Sequence, residues 1–222
     1  MVQDGSTEPM PLISRSLQAV DTIIDQGQSG TLSVSLRAVG DENALGFSVV
    51  FDPAKLTYTG ATLGSGAGGA TLNVNTDGIP SGKLGFALAL SSGHSFASGL
   101  NELVKVTFQA SAANSGNTSV ALADDPIFRE ISDAGANTLS ADYVNGTIVI
   151  NPVPSLGIAQ TDESITLAWP SWATSFILQE AELTGESLRW TAVSVWPTII
   201  HDENVVVLPM KGASKFYRLQ KQ

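Results

Sequence analysis

The 222-residue chain has no cysteine. That excludes a disulfide scaffold, thiol catalysis and cysteine-ligated metals. It does not exclude export, because a domain of this size can be held by its core alone. Histidine is scarce too: His94 and His201 stand far apart in polar, turn-rich contexts, a poor basis for a shared metal site. Charged residues make up only 14% of the chain, with 11 Lys and Arg against 21 Asp and Glu, a net charge of −10. So few cations could not neutralise a row of phosphates, which excludes a nucleic-acid partner. Anionic membrane surfaces are disfavoured for the same reason. No run approaches the roughly 20 apolar residues of a membrane-spanning helix. No segment carries the length and 3.6-residue period of a helix either. Residues 1–11 are polar and acidic and lack the apolar stretch of a signal peptide. The expectation is an extracellular or cell-surface protein whose signal has been removed; a cytoplasmic location stays open.

What is present is period-two alternation between turn signals. Phe47, Val49 and Phe51 share one parity, and Gly46, Ser48 and Val50 the other. That pattern suits a half-buried strand. Asp52-Pro53 then breaks it, since proline brings no N–H to a ladder. Similar runs predict strands near 15–20, 31–39, 44–51, 55–63, 70–75, 83–90, 101–110, 117–123 and 143–150. Strands of this length between Gly, Asn, Asp and Pro clusters argue for a sandwich or jelly roll. Asn151-Pro152-Val153-Pro154-Ser155 reads as a stiff boundary. After it the texture changes: all four tryptophans follow, and strands are predicted near 164–169, 175–180, 189–195, 204–208 and 215–219. Residues 1–151 hold 14 acidic against 6 basic side chains, and 152–222 hold 7 against 5, so the negative charge is concentrated before the boundary. The predicted organisation is a lead-in over 1–11, a jelly roll over 12–151, a linker over 152–155 and a smaller sandwich over 156–222.

Several pieces in order carry a resemblance. They are Gly30-Thr31-Leu32-Ser33-Val34-Ser35-Leu36, Asp52-Pro53-Ala54-Lys55-Leu56, Gly82-Lys83-Leu84-Gly85-Phe86-Ala87-Leu88, Leu103-Val104-Lys105-Val106-Thr107-Phe108 and Val144-Asn145-Gly146-Thr147-Ile148-Val149-Ile150. From Ser16 to Ile150 the chain resembles a bacterial cohesin, the receptor half of the cohesin–dockerin pair. The tail resembles short fibronectin type III-like modules through Ile165-Thr166-Leu167-Ala168-Trp169-Pro170, Phe176-Ile177-Leu178-Gln179, Trp190-Thr191-Ala192-Val193 and Phe216-Tyr217-Arg218-Leu219. The first resemblance implies a nine-stranded jelly roll in which the sheet of strands eight, three, six and five offers a flat face to a dockerin.

Alternation then assigns side chains to that sheet. Phe47, Val49, Phe51, Leu72, Val74, Phe86, Leu88, Val120 and Leu122 belong to the core. The other parity places Ala44, Gly46, Ser48, Val50, Thr71, Asn73, Asn75, Gly85, Ala87, Ala89, Ser119, Ala121 and Ala123 outward. This outer set has no charge and is mostly Gly, Ala and Ser. A sheet face that met only water would carry longer polar side chains. Small residues let another backbone come close. The bland reading is that a loop, a flap or the tail covers the face. Some cohesins carry an Asn-x-Asp pair where Ala44 and Gly46 stand, so the resemblance implies a specificity other than that of a standard dockerin.

Other candidates are weaker. Asn73-x-Asn75-x-Asp77-Gly78 matches the start of a calcium loop, but its twelfth position is Leu84, where a carboxylate is required, and strands flank it. It reads as a hairpin turn. Asp124, Asp125, Glu130 and Asp133 could gather around calcium, against a solvated acidic loop. No cofactor is expected, and calcium in a complex would belong to the partner's loops. Ser95 beside His94 points to the opposite face, so it is no catalytic pair. Glu102 and Asp142 form a glycosidase pair only if folding brings them about 5–10 Å apart. Trp169 and Trp190 are expected in the core. Trp172 and Trp196 sit by prolines and are candidates for stacking on sugar rings, with end-of-core packing as the plainer reading. The overall expectation is a non-catalytic attachment module with a dockerin-like partner, in an assembly linked to polysaccharide breakdown. The alternatives are a carbohydrate-binding module, for which Tyr58, Tyr143 and Phe96 are the first-module aromatics, and a structural spacer.

Overall fold

The computed structural model describes residues 14–184, 187–210 and 214–222, so the proposed lead-in lies outside the described residues. The chain divides into two compact units, the first ending at Pro152 and the second starting at Val153. Apart from one short 3-10 turn at Ile79–Ser81, the regular structure described is all β, as the alternation requires.

The first unit is a two-sheet sandwich of twelve strands. These are β1 (Ser16–Ala19), β2 (Thr22–Asp25), β3 (Ser29–Ala38), β4 (Glu42–Val50), β5 (Leu56–Leu63), β6 (Thr71–Asn75), β7 (Lys83–Ala89), β8 (Gly99–Ala110), β9 (Gly116–Ala123), β10 (Glu130–Asp133), β11 (Asp142–Val144) and β12 (Gly146–Asn151). One sheet runs β11-β1-β3-β8-β5; the other runs β2-β12-β9-β4-β7-β6, with β10 also on β4.

Nine predicted strands become twelve for physical reasons. The predicted strand at 143–150 changes sheet midway and divides into β11 and β12, while β2 and β10 lie outside every predicted range. β1 pairs parallel with β11, and β2 parallel with β12, so the first and last segments close both sheets together. Gly146 marks the crossing: a Cβ there would lie 2.5 Å from the Ala19 carbonyl oxygen, so only glycine lets the two segments pass. Asp21 fixes the same corner by accepting the Thr147 N–H at 2.8 Å.

The core follows the predicted parity. Phe47, Val49, Phe51, Phe86, Leu88, Val120 and Leu122 are buried, while Leu72 and Val74 pack against them from the edge strand. Phe47 stacks on Phe86 with centroids 5.2 Å apart, which locks β4 to β7. Phe96, offered as a surface aromatic, is buried in this core.

The second unit packs a sheet in the order β13 (Gly157–Gln160), β14 (Ser164–Pro170), β18 (Glu203–Pro209), β17 (Thr198–Ile200) and a sheet in the order β16 (Ser187–Ala192), β15 (Phe176–Thr184), β19 (Lys215–Lys221). Its core holds Leu167, Trp169, Leu178 and Val206. Trp190 differs from expectation: it is half-buried on the sheet surface, with the Arg218 guanidinium 4.2 Å above its ring. His201 and Asp202 both take positive φ, 48° and 64°, in the two-residue turn that returns β17 to β18. The local role of His201 is therefore that of a turn residue.

Candidate docking face

Strand register fixes the outward face row by row. Ser132 (β10), Ala44 (β4), Ala89 (β7) and Thr71 (β6) are successive cross-strand partners. The next row is Glu130, Gly46, Ala87 and Asn73. A third is Ala123 (β9), Ser48, Gly85 and Asn75. Val50 lies between Ala121 and Lys83 beyond it, and Ser119 faces Thr147 on β12. The structure thus brings all thirteen predicted residues onto one sheet, and cross-strand partners share its outer side.

The face is not flat, however. β9 and β10 both pair with β4, and the chain leaves the sheet between them over 124–129. This excursion folds back over the third row. The Ser48 hydroxyl accepts the Ile127 N–H at 2.7 Å and donates to the Ile127 carbonyl at 2.8 Å. Ser48 is fully buried as a result. Gly85 is buried beneath the same side chain, and a Cβ on it would meet Ile127 Cγ1 at 2.8 Å. The excursion is pinned at both ends. Lys83 Nζ reaches Asp125 at 2.7 Å, and Arg129 grips Asp124 with Nε at 2.8 Å and Nη2 at 2.9 Å. The Arg129 grip holds the Asp124 carboxyl down at about 2. Arg129 also lies 5.1 Å from the Tyr143 ring centroid. Part of the expected platform is therefore a seat for the protein's own loop, and Ser48 and Gly85 act as that seat.

What stays open is a groove of about 520 Å³. Its floor is Ala44, Gly46, Ala87 and Ala89, with Thr71 and Asn73 along one side and Ile127 and Phe128 along the other. Phe128 is 76% exposed. Glu130 and Ser132 complete the rim. The lining holds one carboxylate and no histidine, so it offers surface and hydrogen bonds rather than an acid–base pair.

Sequence reasoning missed Ile127, Phe128 and Ser132, and met Glu130 only as a calcium candidate. A hint was present in two adjacent apolar residues following Asp124-Asp125-Pro126 in an otherwise acidic stretch. The alternation of Glu130-Ile131-Ser132 is too short to read as a strand. The acidic group itself does not assemble. Asp124 is taken by Arg129, Asp133 Oδ1 accepts the N–H groups of Gly135 and Asn137, and Glu130 accepts the Thr138 hydroxyl. Among the described residues no three His, Asp or Glu side chains cluster in a metal-holding arrangement. In the calcium-like motif, Asn75 Oδ1 accepts the Asp77 N–H at 3.0 Å, the bond of a local turn.

The remaining candidates are also placed. The Ser95 hydroxyl donates to the Gly40 carbonyl at 2.7 Å, and His94 Nδ1 lies 3.3 Å from the Ser92 carbonyl. Glu102 on β8 and Asp142 on β11 are three strand spacings apart in one sheet, roughly 14 Å, too far for a glycosidase pair. Glu102 is instead tied down by the Ser33 hydroxyl at 2.6 Å and the Ser65 N–H at 3.1 Å. These bonds lower its pKa from 4.5 to about 2. A depressed carboxylate stabilises the fold above its ordinary range, and that contribution fades as pH falls toward the folded value. The melting-temperature gap between the wild type and Glu102→Gln should therefore shrink from pH 4.5 to 2. A gap that stays constant would show that the charge is not what these bonds serve.

In the second unit, Trp196 is 90% exposed and Trp172 51% exposed. Trp196 lines a groove of about 670 Å³ with Phe176, Leu178, Val193 and Ile199; Trp172 is not among its lining side chains.

No family model matches the sequence, and no curated protein does. Solved structures do match. A non-cellulosomal cohesin from the archaeon Archaeoglobus fulgidus has 18% identity and a TM-score of 0.52, covering 62% of this chain and 91% of its own. The sixth cohesin of Acetivibrio cellulolyticus scaffoldin B, solved with a Cel5 dockerin mutant, has 18% identity and a TM-score of 0.55 over 62% of this chain and 99% of its own. A type I cohesin of Clostridium thermocellum, solved in the Coh-OlpA–Doc918 complex, has 12% identity and a TM-score of 0.53 over the same 62% and 99%. Over the part of the chain that these structures cover, the fold is cohesin-like.

Proposed function

We propose that the first unit is a non-catalytic attachment module whose open groove receives a dockerin-like protein partner. One observation carries this reading. Eight adjacent outward positions, Ser132-Ala44-Ala89-Thr71 and Glu130-Gly46-Ala87-Asn73, hold one charge and a floor of four Ala and Gly residues beside an exposed phenylalanine. Such a floor gives a partner backbone close approach, and an apolar centre with a polar rim is the usual make-up of a protein interface. Solved cohesins of the same fold, crystallised with dockerins, support it. An exported protein working in a surface or polysaccharide-degrading assembly fits this reading. The second unit fits a fibronectin type III-like or immunoglobulin-like spacer. Its β13-β14-β18-β17 sheet has the A-B-E-D order of such sandwiches.

The test is calorimetric titration of the whole chain with calcium-loaded dockerins, repeated in EDTA. Saturable binding that EDTA removes supports the reading; no binding across a broad dockerin panel rejects it. A second reading, glycan binding, rests on the exposure of Trp196 and Trp172. It expects glycan-array signals that vanish in Trp196→Ala, with dockerins silent.

The loop seat makes its own prediction. Ser48→Ala removes both bonds to Ile127, leaving a part-buried N–H and C=O without their partner. The expected cost is about 1–3 kcal/mol. Hydrogen exchange at Ile127 should rise well before global unfolding. Unchanged exchange there would mean that Ser48 does not hold the loop.

A further inference from the structure

We infer that the 124–129 excursion is a fixed specificity wall, that Phe128 anchors the partner, and that the partner is a protein surface presenting an apolar row with a cationic side chain set against Glu130. This rests on the docking reading above and deepens it.

The wall is built rather than loose. It leaves and rejoins neighbouring positions of one strand, β4, so both of its ends are fixed by the same ladder. Its middle is clamped through both polar groups of Ile127, and its ends by two ion pairs. A wall held at three points does not have to be ordered when a partner arrives, which keeps the entropic cost of binding low. The clamp also decides what is exposed. Ile127 is half-buried over Gly85, and Phe128, next in the chain, stands out above the groove. Gly46 admits the loop, since a Cβ there would lie 2.9 Å from the Phe128 carbonyl oxygen. A large exposed aromatic beside a floor of small residues is the arrangement in which one side chain carries much of an interface's energy.

Charge selects the occupant. Two cations lie nearby, and both are engaged: Lys83 with Asp125, and Arg129 with Asp124. Glu130 projects from the row of Gly46, Ala87 and Asn73, and its carboxylate accepts a hydrogen bond from the neutral Thr138 hydroxyl. Among the described residues it has no cation of its own. The first unit as a whole is acidic, with 14 acidic against 6 basic side chains up to residue 151. A partner with a Lys or Arg beside its apolar row gains both steering and a rim ion pair; one with a carboxylate there is repelled. The groove runs across β4, β7 and β6, and its floor of Ala and Gly lets a partner backbone lie close.

The experiment selects from a phage-displayed library of calcium-loaded dockerin modules, randomised on their exposed helix faces, on the immobilised whole chain. The affinities of enriched clones are then measured against four proteins: wild type, Phe128→Ala, Glu130→Gln and Ala87→Arg. Enriched clones should share an apolar row with a Lys or Arg. Phe128→Ala should weaken them roughly 30-fold, and Phe128→Leu should recover most of that loss. Glu130→Gln should weaken them several-fold and flatten the salt dependence. Phe128 is exposed, so Phe128→Ala should melt as the wild type does. If Phe128→Ala binds within about twofold of wild type while Ala87→Arg abolishes binding, the anchor is overturned and the docking face stands. Clones with no cationic preference overturn the assignment to Glu130. No enriched clone, or clones indifferent to Ala87→Arg, overturns the docking reading and this inference with it.

Discussion

Replacing Ala87 with arginine is expected to abolish partner binding and leave the fold intact. Ala87 sits on β7 between Gly46 and Asn73, at the centre of the groove floor. It already carries a Cβ, so a longer side chain can rise outward without displacing backbone. Outward substitutions of this kind generally change stability by within about 0.5 kcal/mol. A partner lying on the floor would have to make room for the new guanidinium, which also competes for Glu130 in the same row, and this should weaken binding by roughly 100-fold or more. Gly46→Arg looks equivalent from the sequence but is not. Its Cβ would press on the Phe128 carbonyl oxygen at 2.9 Å and on Ile127 Cγ2 at 3.1 Å, so the wall would move as well. Affinity by calorimetry with melting on the same sample separates the two variants. Ala87→Arg that binds normally would take this face out of consideration. Ala87→Arg that fails to fold would mean that Ala87 is packed more tightly than its half-buried position indicates.

The sheet was legible because alternation is a local property. Phe47 and Ser48 must point to opposite sides of any strand that contains them, so core and outer face could be separated without knowing the neighbours. Strand register places the thirteen outward residues on one side of one sheet. What could not be read was which outward positions are covered. The cover comes from residues 124–129, about 80 positions along the chain from Ser48, and no periodicity links a serine to the loop that it will clamp. Gly85 shows the ambiguity well. A glycine on an outer face reads equally as room for a partner and as room for the protein's own loop, and here it is the second, with Ile127 overhead. The opposite error occurred with Trp190. An apolar alternation placed it in the core, yet the small second unit leaves it half-buried under Arg218. The splitting of the last strand was equally hidden, because a strand that changes sheet keeps its alternation while changing partners, and the four-residue β2 was too short to read.

Removing the Glu42 carboxylate should be among the most damaging single changes in the first unit. Glu42 opens β4, the strand that carries the groove floor, and its side chain is fully buried. It accepts three hydrogen bonds: from the Val39 N–H at 2.8 Å, the Gly40 N–H at 3.0 Å and Arg15 Nε at 2.6 Å. Arg15 in turn donates to the Ser140 carbonyl at 2.8 Å and to Asp41 at 2.6 Å. One buried pair thus ties the start of β1 to the 39–42 corner and to the segment before β11. Burial works against the Glu42 charge, but the two N–H groups and Arg15 outweigh it and hold its carboxyl below the ordinary glutamate range. The pair therefore stabilises at neutral pH, and its contribution is lost as pH falls through that lowered value. Glu42→Ala leaves the nearly buried Arg15 with only the exposed Asp41 and the Ser140 carbonyl, and two N–H groups without their acceptor, at an expected cost of about 3 kcal/mol. That is a large share of the roughly 5–15 kcal/mol that holds a domain of this kind together. The informative partner is the double variant Arg15→Met with Glu42→Leu. Taking out both charges removes the desolvation cost along with the attraction, so it should recover much of the loss. Denaturant unfolding of the single and double variants decides the matter. If the double variant is as unstable as Glu42→Ala, the two backbone N–H bonds at Val39 and Gly40, rather than the ion pair, hold the corner from which β4 enters the docking face.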